Sequence, residues 1–364
     1  MKLTRRSILS LSLPLAGSLA LNAQDAKPTA EKASRKWGTG PSAEFAPQRV
    51  MLGWTGDPAR TQAVTWRTEK PAETPQAQFT LASANPEFIN DAATAPAKSG
   101  TLDIGEGRTV GTYRANLQGL KPDSHYFYRV GDGKNWGEWF EFHTASDQPK
   151  KFRFLYVGDA QNDIKSRWSR VIRAAYAKAP KSAFIVHAGD LVATGYRDDL
   201  WGEWYDAMEF IAATVPSLPV VGNHELEKPA GAPKTLALPA IWRQEFAYPK
   251  NGPDVPENES YSFDYQGVRF LSLNVNMLEN GKNFDANRPM IDQMVAWVDK
   301  ALKNNPNHWT IVCQHQGMCS MASNRNYVKM REALLPTYEK YGVDLVLQGH
   351  DHLYARSHKS IVGG

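Results

Sequence analysis

Hydrophobic and polar positions alternate over short stretches in the first part of the chain. Runs rich in β-branched and aromatic residues are separated by turn-forming residues, which is the pattern of an all-β domain. The runs cover residues 49–54, 61–66, 76–81, 111–117, 125–130 and 138–143. Asp132-Gly133 is typical of a hairpin turn between the last two. We therefore predict a small β-sandwich over residues 48–146, with Trp54 and Trp66 in its core.

One local motif refines this prediction. Leu120 precedes Tyr126 by six residues at the entry to a predicted strand. This resembles the tyrosine corner of fibronectin type III domains, in which the tyrosine hydroxyl bonds to the upstream backbone. The stretch contains no cluster of metal-binding residues and no nucleophile, so we expect a structural or positioning role. Carbohydrate or cell-wall binding is the alternative.

After a polar linker at residues 144–151, apolar strands alternate with helical patterns. The predicted strands cover residues 152–157, 183–188, 218–221, 309–313 and 343–347, and residues 261–274 resemble a hairpin that turns at Gln266-Gly267. Helical spacing appears at residues 168–176, 289–302 and 336–341, with Gly342 ending the last. This alternation predicts an α/β domain whose sheets are covered by helices.

Polar residues follow the predicted strands of this second part. They are Asp159, Asp190, Asn223, His315, His350 and His352. The carboxyl ends of strands in open α/β sheets gather at one edge, where ligands bind. Carboxylate, amide and imidazole groups are ligands of divalent and trivalent metals. The pattern therefore predicts a metal site at that edge.

The motifs that carry these residues resemble those of a known family. They are Gly158-Asp159, Gly189-Asp190, Gly222-Asn223-His224-Glu225, Gln314-His315 and Gly349-His350-Asp351-His352. They are similar to the metal-site motifs of calcineurin-like metallophosphoesterases. Together with the fibronectin-like domain, they resemble the purple acid phosphatase branch. The resemblance implies a sandwich of two mixed β-sheets flanked by helices, with a dinuclear metal centre at one edge.

The resemblance also implies residue roles. Asp159, Asp190 and His352 would hold one metal, and Asp190, Asn223, His315 and His350 would hold the other. His224 would assist the leaving group, or hydrogen-bond the phosphate, while a metal-bridging hydroxide attacks phosphorus. A loop histidine oriented by Glu225 is the alternative for His224. The implied function is an exported, dinuclear hydrolase of phosphate monoesters. A phosphodiesterase and a non-catalytic extracellular metal-binding module are the alternatives.

The chain departs from the purple acid phosphatase pattern at several points. Ala193 stands where that branch has an iron-binding tyrosine, and we expect Tyr196 to line the pocket instead. Gln161 stands where the broader family has a ligand histidine, and its amide oxygen is a candidate ligand. The expected pair is iron with zinc or manganese. Family members continue beyond the last histidine motif, so we expect a catalytic domain, residues 151–364, that is truncated at its C-terminus.

The N-terminus resembles a targeting signal. Arg5 and Arg6 precede a short apolar run at residues 8–21, as in a twin-arginine signal. An ordinary secretory signal is the alternative. We predict a signal peptide at residues 1–23, a flexible spacer at residues 24–47, and a mature chain in the periplasm or outside the cell. The run is too short to span a bilayer, and no other stretch is long and apolar enough.

Charge and cysteine content limit the partners. The formal net charge is +4, from 42 basic and 38 acidic residues. Three of the basic residues, Lys2, Arg5 and Arg6, lie in the predicted signal, so the rest is nearly neutral. We therefore expect a small phosphorylated substrate and no nucleic-acid partner, and the oligomeric state stays open. Cys313 and Cys319 are six residues apart, and their pairing also stays open.

Overall fold

The computed structural model describes residues 40–226, 237–254, 259–278, 284–323 and 325–357. The predicted signal peptide and most of the predicted spacer lie outside these ranges. The first half consists of antiparallel strands. They are β1 (Gln48–Gly53), β2 (Gln62–Thr68), β3 (Gln76–Leu81), β4 (Ala93–Asp103), β5 (Thr109–Leu117), β6 (His125–Gly131) and β7 (Phe140–His143).

The strand β4 was not predicted. Pro96 and Gly100 interrupt it, and many of its side chains are exposed, so it lacks the alternation of a half-buried strand. Its first residues pair with β3, and its later residues pair with β5. The strands therefore form one curled sheet in the order β1-β2-β5-β4-β3-β6-β7, and the predicted all-β domain is confirmed.

The predicted tyrosine corner is present. The Tyr126 hydroxyl accepts a hydrogen bond from the backbone N–H of Lys121 at 2.8 Å. The Trp66 ring packs on Tyr113 inside the curled sheet, with 5.3 Å between ring centroids. The prediction for Trp66 is therefore confirmed.

The second half contains two further sheets. The first has the parallel order β10 (Ser217–Pro219), β9 (Ile185–His187), β8 (Leu155–Val157). The second has the order β11 (Tyr261–Tyr265), β12 (Val268–Leu273), β13 (Trp309–Gln314), β14 (Leu345–Leu347). In it β11 is antiparallel to β12, as the predicted hairpin requires, and the others are parallel. Only the second sheet is mixed over the described strands, whereas two mixed sheets were expected.

The described part of the second half also contains six α-helices. They are α1 (Ser169–Lys178), α2 (Asp198–Met208), α3 (Phe210–Thr214), α4 (Ala240–Glu245), α5 (Arg288–Lys303) and α6 (Val328–Tyr341). Helix α6 begins well before the predicted start at Pro336, because Met330 and Leu334 bury an apolar face in the core under α5. It ends as predicted at Gly342, whose φ of 63° suits a residue without a Cβ.

The prediction for Trp54 is wrong. Its indole belongs to a core that extends into the second half, where it contacts Phe184 at 5.5 Å and Tyr265 at 5.4 Å between ring centroids. A buried ion pair crosses the same junction, since Arg49 contacts Glu245 at 3.0 Å. Because apolar and charged contacts both join the halves, they form one packed body.

Cys313 is buried, Cys319 is exposed, and both thiols are free. Among the residues that the structure describes, no helix combines the length and apolar character that a membrane span requires.

Candidate metal centre

The predicted ligand residues meet at one edge of the two sheets. Each lies just after a strand: Asp159 after β8, Asp190 after β9, Asn223 after β10, His315 after β13, and His350 and His352 after β14. Ligand atoms of Asp190, His315 and His350 lie within 4.8 Å of one another, and so do those of Asp159, Asp190 and His352. Asp190 belongs to both groups.

The first group converges on His315. Its Nε2 lies 3.0 Å from Asp190 Oδ2, 3.1 Å from Asn223 Oδ1 and 3.2 Å from His350 Nδ1. Ligands bonded to one transition metal at about 2.0–2.2 Å lie roughly 3 Å apart. The spacing therefore fits a shared ion. The Nδ1–H of His315 donates to the Ala188 carbonyl at 2.7 Å, which directs Nε2 into the group.

The second group is more open. His352 Nε2 lies 3.4 Å from Asp159 Oδ1, and half of the His352 side chain is exposed. Gln161 Nε2 lies 3.1 Å from the same histidine nitrogen. The Gln161 side chain is buried, yet its Oε1 has no hydrogen-bond partner among the described residues. A buried amide oxygen without a partner beside carboxylate and imidazole groups fits a metal ligand.

Backbone strain is concentrated at this edge. The φ angles are 54° at Asp159, 53° at Asp190, 73° at His350 and 49° at His352. Residues other than glycine rarely occupy this region, which costs about 1–3 kcal/mol at each position. The fold therefore holds four candidate ligands in unfavourable conformations. Strain of this kind is typical of functional sites.

Sequence reasoning missed the importance of Glu225. This fully buried carboxylate accepts backbone N–H bonds from Gly222 at 2.7 Å, Asp190 at 2.9 Å and Leu191 at 2.8 Å. It therefore ties the loop that carries Asp190 to the loop that carries Asn223. The motif Gly222-Asn223-His224-Glu225 contained this residue, but no spacing rule assigns it three donors.

His224 lies beside the group without belonging to it. Its backbone N–H donates to Asp190 Oδ1 at 2.9 Å, and its ring Nδ1 lies 2.7 Å from the Ala193 carbonyl. The Ala193 carbonyl accepts from the Nδ1–H, so Nε2 is the ring nitrogen that this contact leaves for a substrate. Ala193 thus contributes its backbone where a tyrosine side chain stands in the related branch. The Tyr196 hydroxyl donates to the Ala237 carbonyl at 2.7 Å.

The charges in this cluster depend on one another. Burial disfavours the charged His315 ring, but its hydrogen bond to Asp190 and the nearby carboxylates outweigh burial and raise its pKa to about 9. Burial and the positive charges of His315 and Arg325 lower the pKa of His350 to about 4. Burial and the charge of Asp190 raise the pKa of Glu225 to about 7. Near neutral pH the first group therefore holds its positive charge on His315.

Comparison with known proteins agrees with this geometry. Residues 152–354, more than half of the chain, match the model of the calcineurin-like phosphoesterase family. The chain belongs to this family of phosphoester hydrolases. Residues 47–144 also match the model of the purple acid phosphatase N-terminal domain.

Several curated proteins are similar to this chain in sequence. Acid phosphatase type 7 of Mus musculus is 26% identical over 85% of this chain and 70% of its own length. Purple acid phosphatase 23 of Arabidopsis thaliana is 26% identical over 67% of this chain and 57% of its own length. An uncharacterised Mycobacterium tuberculosis protein is 28% identical over 70% of this chain and 52% of its own length. The chain thus spans little more than half the length of several curated relatives that it matches.

Solved structures share the fold. A purple acid phosphatase from yellow lupin seeds superposes with a TM-score of 0.63 at 20% identity, over 84% of this chain and 58% of that chain. A structure of PhoD superposes with a TM-score of 0.58 at 14% identity, over 86% of this chain and 73% of that chain. Both likenesses agree with a fold in which an all-β domain precedes an α/β domain.

Proposed function

We propose that the protein is an exported, dinuclear metal-dependent hydrolase of phosphate monoesters. The observation that carries this proposal is the pair of ligand groups that share Asp190. One shared carboxylate between two groups supports two adjacent ions. Export is inferred from Arg5 and Arg6 ahead of the apolar run at residues 8–21.

The proposed ligands form two sets, one for each ion, and Asp190 belongs to both sets. Asp159, Asp190 and His352 would hold one ion, and Asp190, Asn223, His315 and His350 the other. A bound pair of ions lowers the pKa of a shared water and offsets negative charge on the phosphoryl oxygens. The protein contributes the fixed orientation of the ligands, through the Ala188 carbonyl behind His315 and the strained loops.

His224, in its doubly protonated form, is the proposed proton donor to the leaving group: Nε2–H would give its proton to the departing alkoxide, and the ring would be left neutral with its hydrogen on Nδ1. Its Nδ1 is held by the Ala193 carbonyl, and its backbone is held by Asp190. These two contacts orient the ring, so Nε2 is the nitrogen that meets substrate. A donor held in this way costs little reorganisation during the reaction.

The identity of the metals is also a proposal. Iron with zinc or manganese suits a set of carboxylate, amide and imidazole ligands. Ala193 supplies no phenolate, so the iron-loaded protein should lack the purple colour of the related branch. We assign Gln161 Oε1, which has no hydrogen-bond partner among the described residues, to the ion between Asp159 and His352 after a flip of the amide, because Nε2 is the atom that lies 3.1 Å from His352 Nε2.

The test compares metal content with hydrolysis. The mature protein is loaded with iron plus zinc or manganese, its metals are counted, and hydrolysis of an aryl phosphate monoester is compared with that of a diester. Asp190→Asn should lower the metal count from two and abolish hydrolysis, whereas His224→Ala should keep both metals and lose about 10²–10⁴-fold in kcat. The control is His308→Ala, which removes an exposed histidine outside both groups.

Three results would overturn parts of the proposal. Activity that survives chelation and both substitutions would exclude the metal mechanism. A faster diester reaction would identify a phosphodiesterase. A protein that binds two metals but hydrolyses neither compound would be a metal-binding module.

A further inference from the structure

Arg325 lies against the segment that carries His350. Its Nη1 donates to the His350 carbonyl at 2.6 Å and to Asp351 Oδ1 at 3.0 Å. The other oxygen of Asp351 accepts from the Ser320 hydroxyl at 2.6 Å. The guanidinium is therefore fixed next to the backbone of a candidate metal ligand, although Arg325 itself comes from the segment before α6.

Only part of the guanidinium is used by these contacts. Both go through Nη1, and the part of the chain that the structure describes offers no hydrogen-bond partner to Nη2 or Nε. The side chain is 37% exposed, whereas that of Asp351 is 8% exposed. The buried carboxylate thus anchors one edge of the guanidinium and leaves the other edge open.

An anchored guanidinium is well suited to phosphate. Arginine presents parallel N–H donors that match two phosphate oxygens, and a fixed side chain loses little rotamer entropy on binding. Asp351 offsets part of the Arg325 charge, and the attraction that remains is stronger for a ligand with two negative charges than for a ligand with one. A phosphate monoester carries two charges near neutral pH, whereas a diester carries one.

We propose that Arg325 binds the phosphate group of the substrate and favours the doubly charged monoester over the diester. This inference rests on the proposed phosphoesterase activity, and it assigns the preference to one side chain. Arg325 touches no candidate metal-binding atom, so its loss should leave the metals in place.

The test uses the metal-loaded protein and three variants. Arg325→Ala removes the guanidinium, Arg325→Lys keeps the charge without the parallel donors, and Arg331→Ala is the matched control. Arg331 donates to the Met318 carbonyl in the same segment at 3.0 Å. Metal content, the dissociation constant of orthophosphate, and KM and kcat for an aryl monoester and a diester are measured for each.

In Arg325→Ala we expect two metals, orthophosphate binding weaker by about 10- to 100-fold, and a similar rise in KM for the monoester. The diester KM should change by less than about threefold. Arg325→Lys should fall between the wild type and Arg325→Ala, and Arg331→Ala should keep the wild-type ratio of monoester to diester.

Other outcomes would overturn the inference. Equal losses for both esters, or an Arg331→Ala protein that matches Arg325→Ala, would mean that Arg325 only supports the loop. If the wild type hydrolyses neither ester, the proposed function fails, and orthophosphate affinity alone decides the role of Arg325. Unchanged orthophosphate affinity in Arg325→Ala would then refute it.

Discussion

Metal binding at the first ligand group should release a proton that belongs to His315. A pKa of about 9 keeps this ring protonated below that pH, yet Nε2 must lose its proton to bind an ion. The histidine therefore has to be deprotonated as the ion enters. His350, with a pKa of about 4, is already neutral and should release almost no proton when the ion binds.

The magnitude follows from these values. At pH 8 about 0.9 of the His315 rings carry the proton, so about 0.9 proton should be released for each ion bound to this group. The competition weakens binding by about tenfold at pH 8, or about 1.4 kcal/mol. Each further unit of acidification should cost another factor of about ten. Below pH 8 the Glu225 carboxyl, whose pKa is about 7, becomes partly protonated and can also release protons when an ion binds.

Calorimetric titration with Mn²⁺ at pH 8, in buffers of different ionisation enthalpy, measures the protons released. His315→Gln should weaken binding and abolish the release. His350→Ala should weaken binding and retain the release, which makes it the matched control. Release below about 0.2 proton in the wild type would refute the assignment of the charge to His315.

Two further predictions concern single side chains. Glu225→Gln places an amide NH₂ group opposite the Leu191 N–H and should weaken Mn²⁺ binding by about 10- to 100-fold, as measured by calorimetry. Glu245 is a buried carboxylate that pairs with Arg49 away from the site, so Glu245→Gln should leave the Mn²⁺ affinity unchanged. Tyr126→Phe removes the acceptor of the Lys121 N–H and should lower the free energy of unfolding by about 1–2 kcal/mol in urea titrations; an unchanged midpoint and slope would argue against a stabilising corner.

The success of sequence reasoning depended on how local each signal was. The hairpin at Gln266-Gly267 follows from two residues, both with positive φ in the structure. The strand β4 gave no such signal, because its pairing with β3 and β5 compensates for Pro96 and Gly100. Tertiary contacts likewise decided the start of α6, since Met330 and Leu334 gain burial only against α5.

The candidate site also combines features that local sequence signals predict with features that only tertiary contacts determine. Strand ends located Asp159, Asp190 and His315, because parallel strands present their carboxyl ends at one edge. Spacing could not reveal that Ala188 orients His315 through a carbonyl, since backbone acceptors leave no trace in residue type. It also could not place Arg325 beside His350, because that contact joins two loops that are distant along the chain.

The position of Trp54 has a consequence for how such chains can be rearranged. An indole that leaves the first half and fills a core of the second cannot be separated from Phe184 and Tyr265 without exposing all three rings. We therefore do not expect the all-β half to fold stably when it is transferred alone to another enzyme. Separating the halves would expose apolar surface on both fragments and favour their aggregation. Recombination within this family should therefore keep the two halves together.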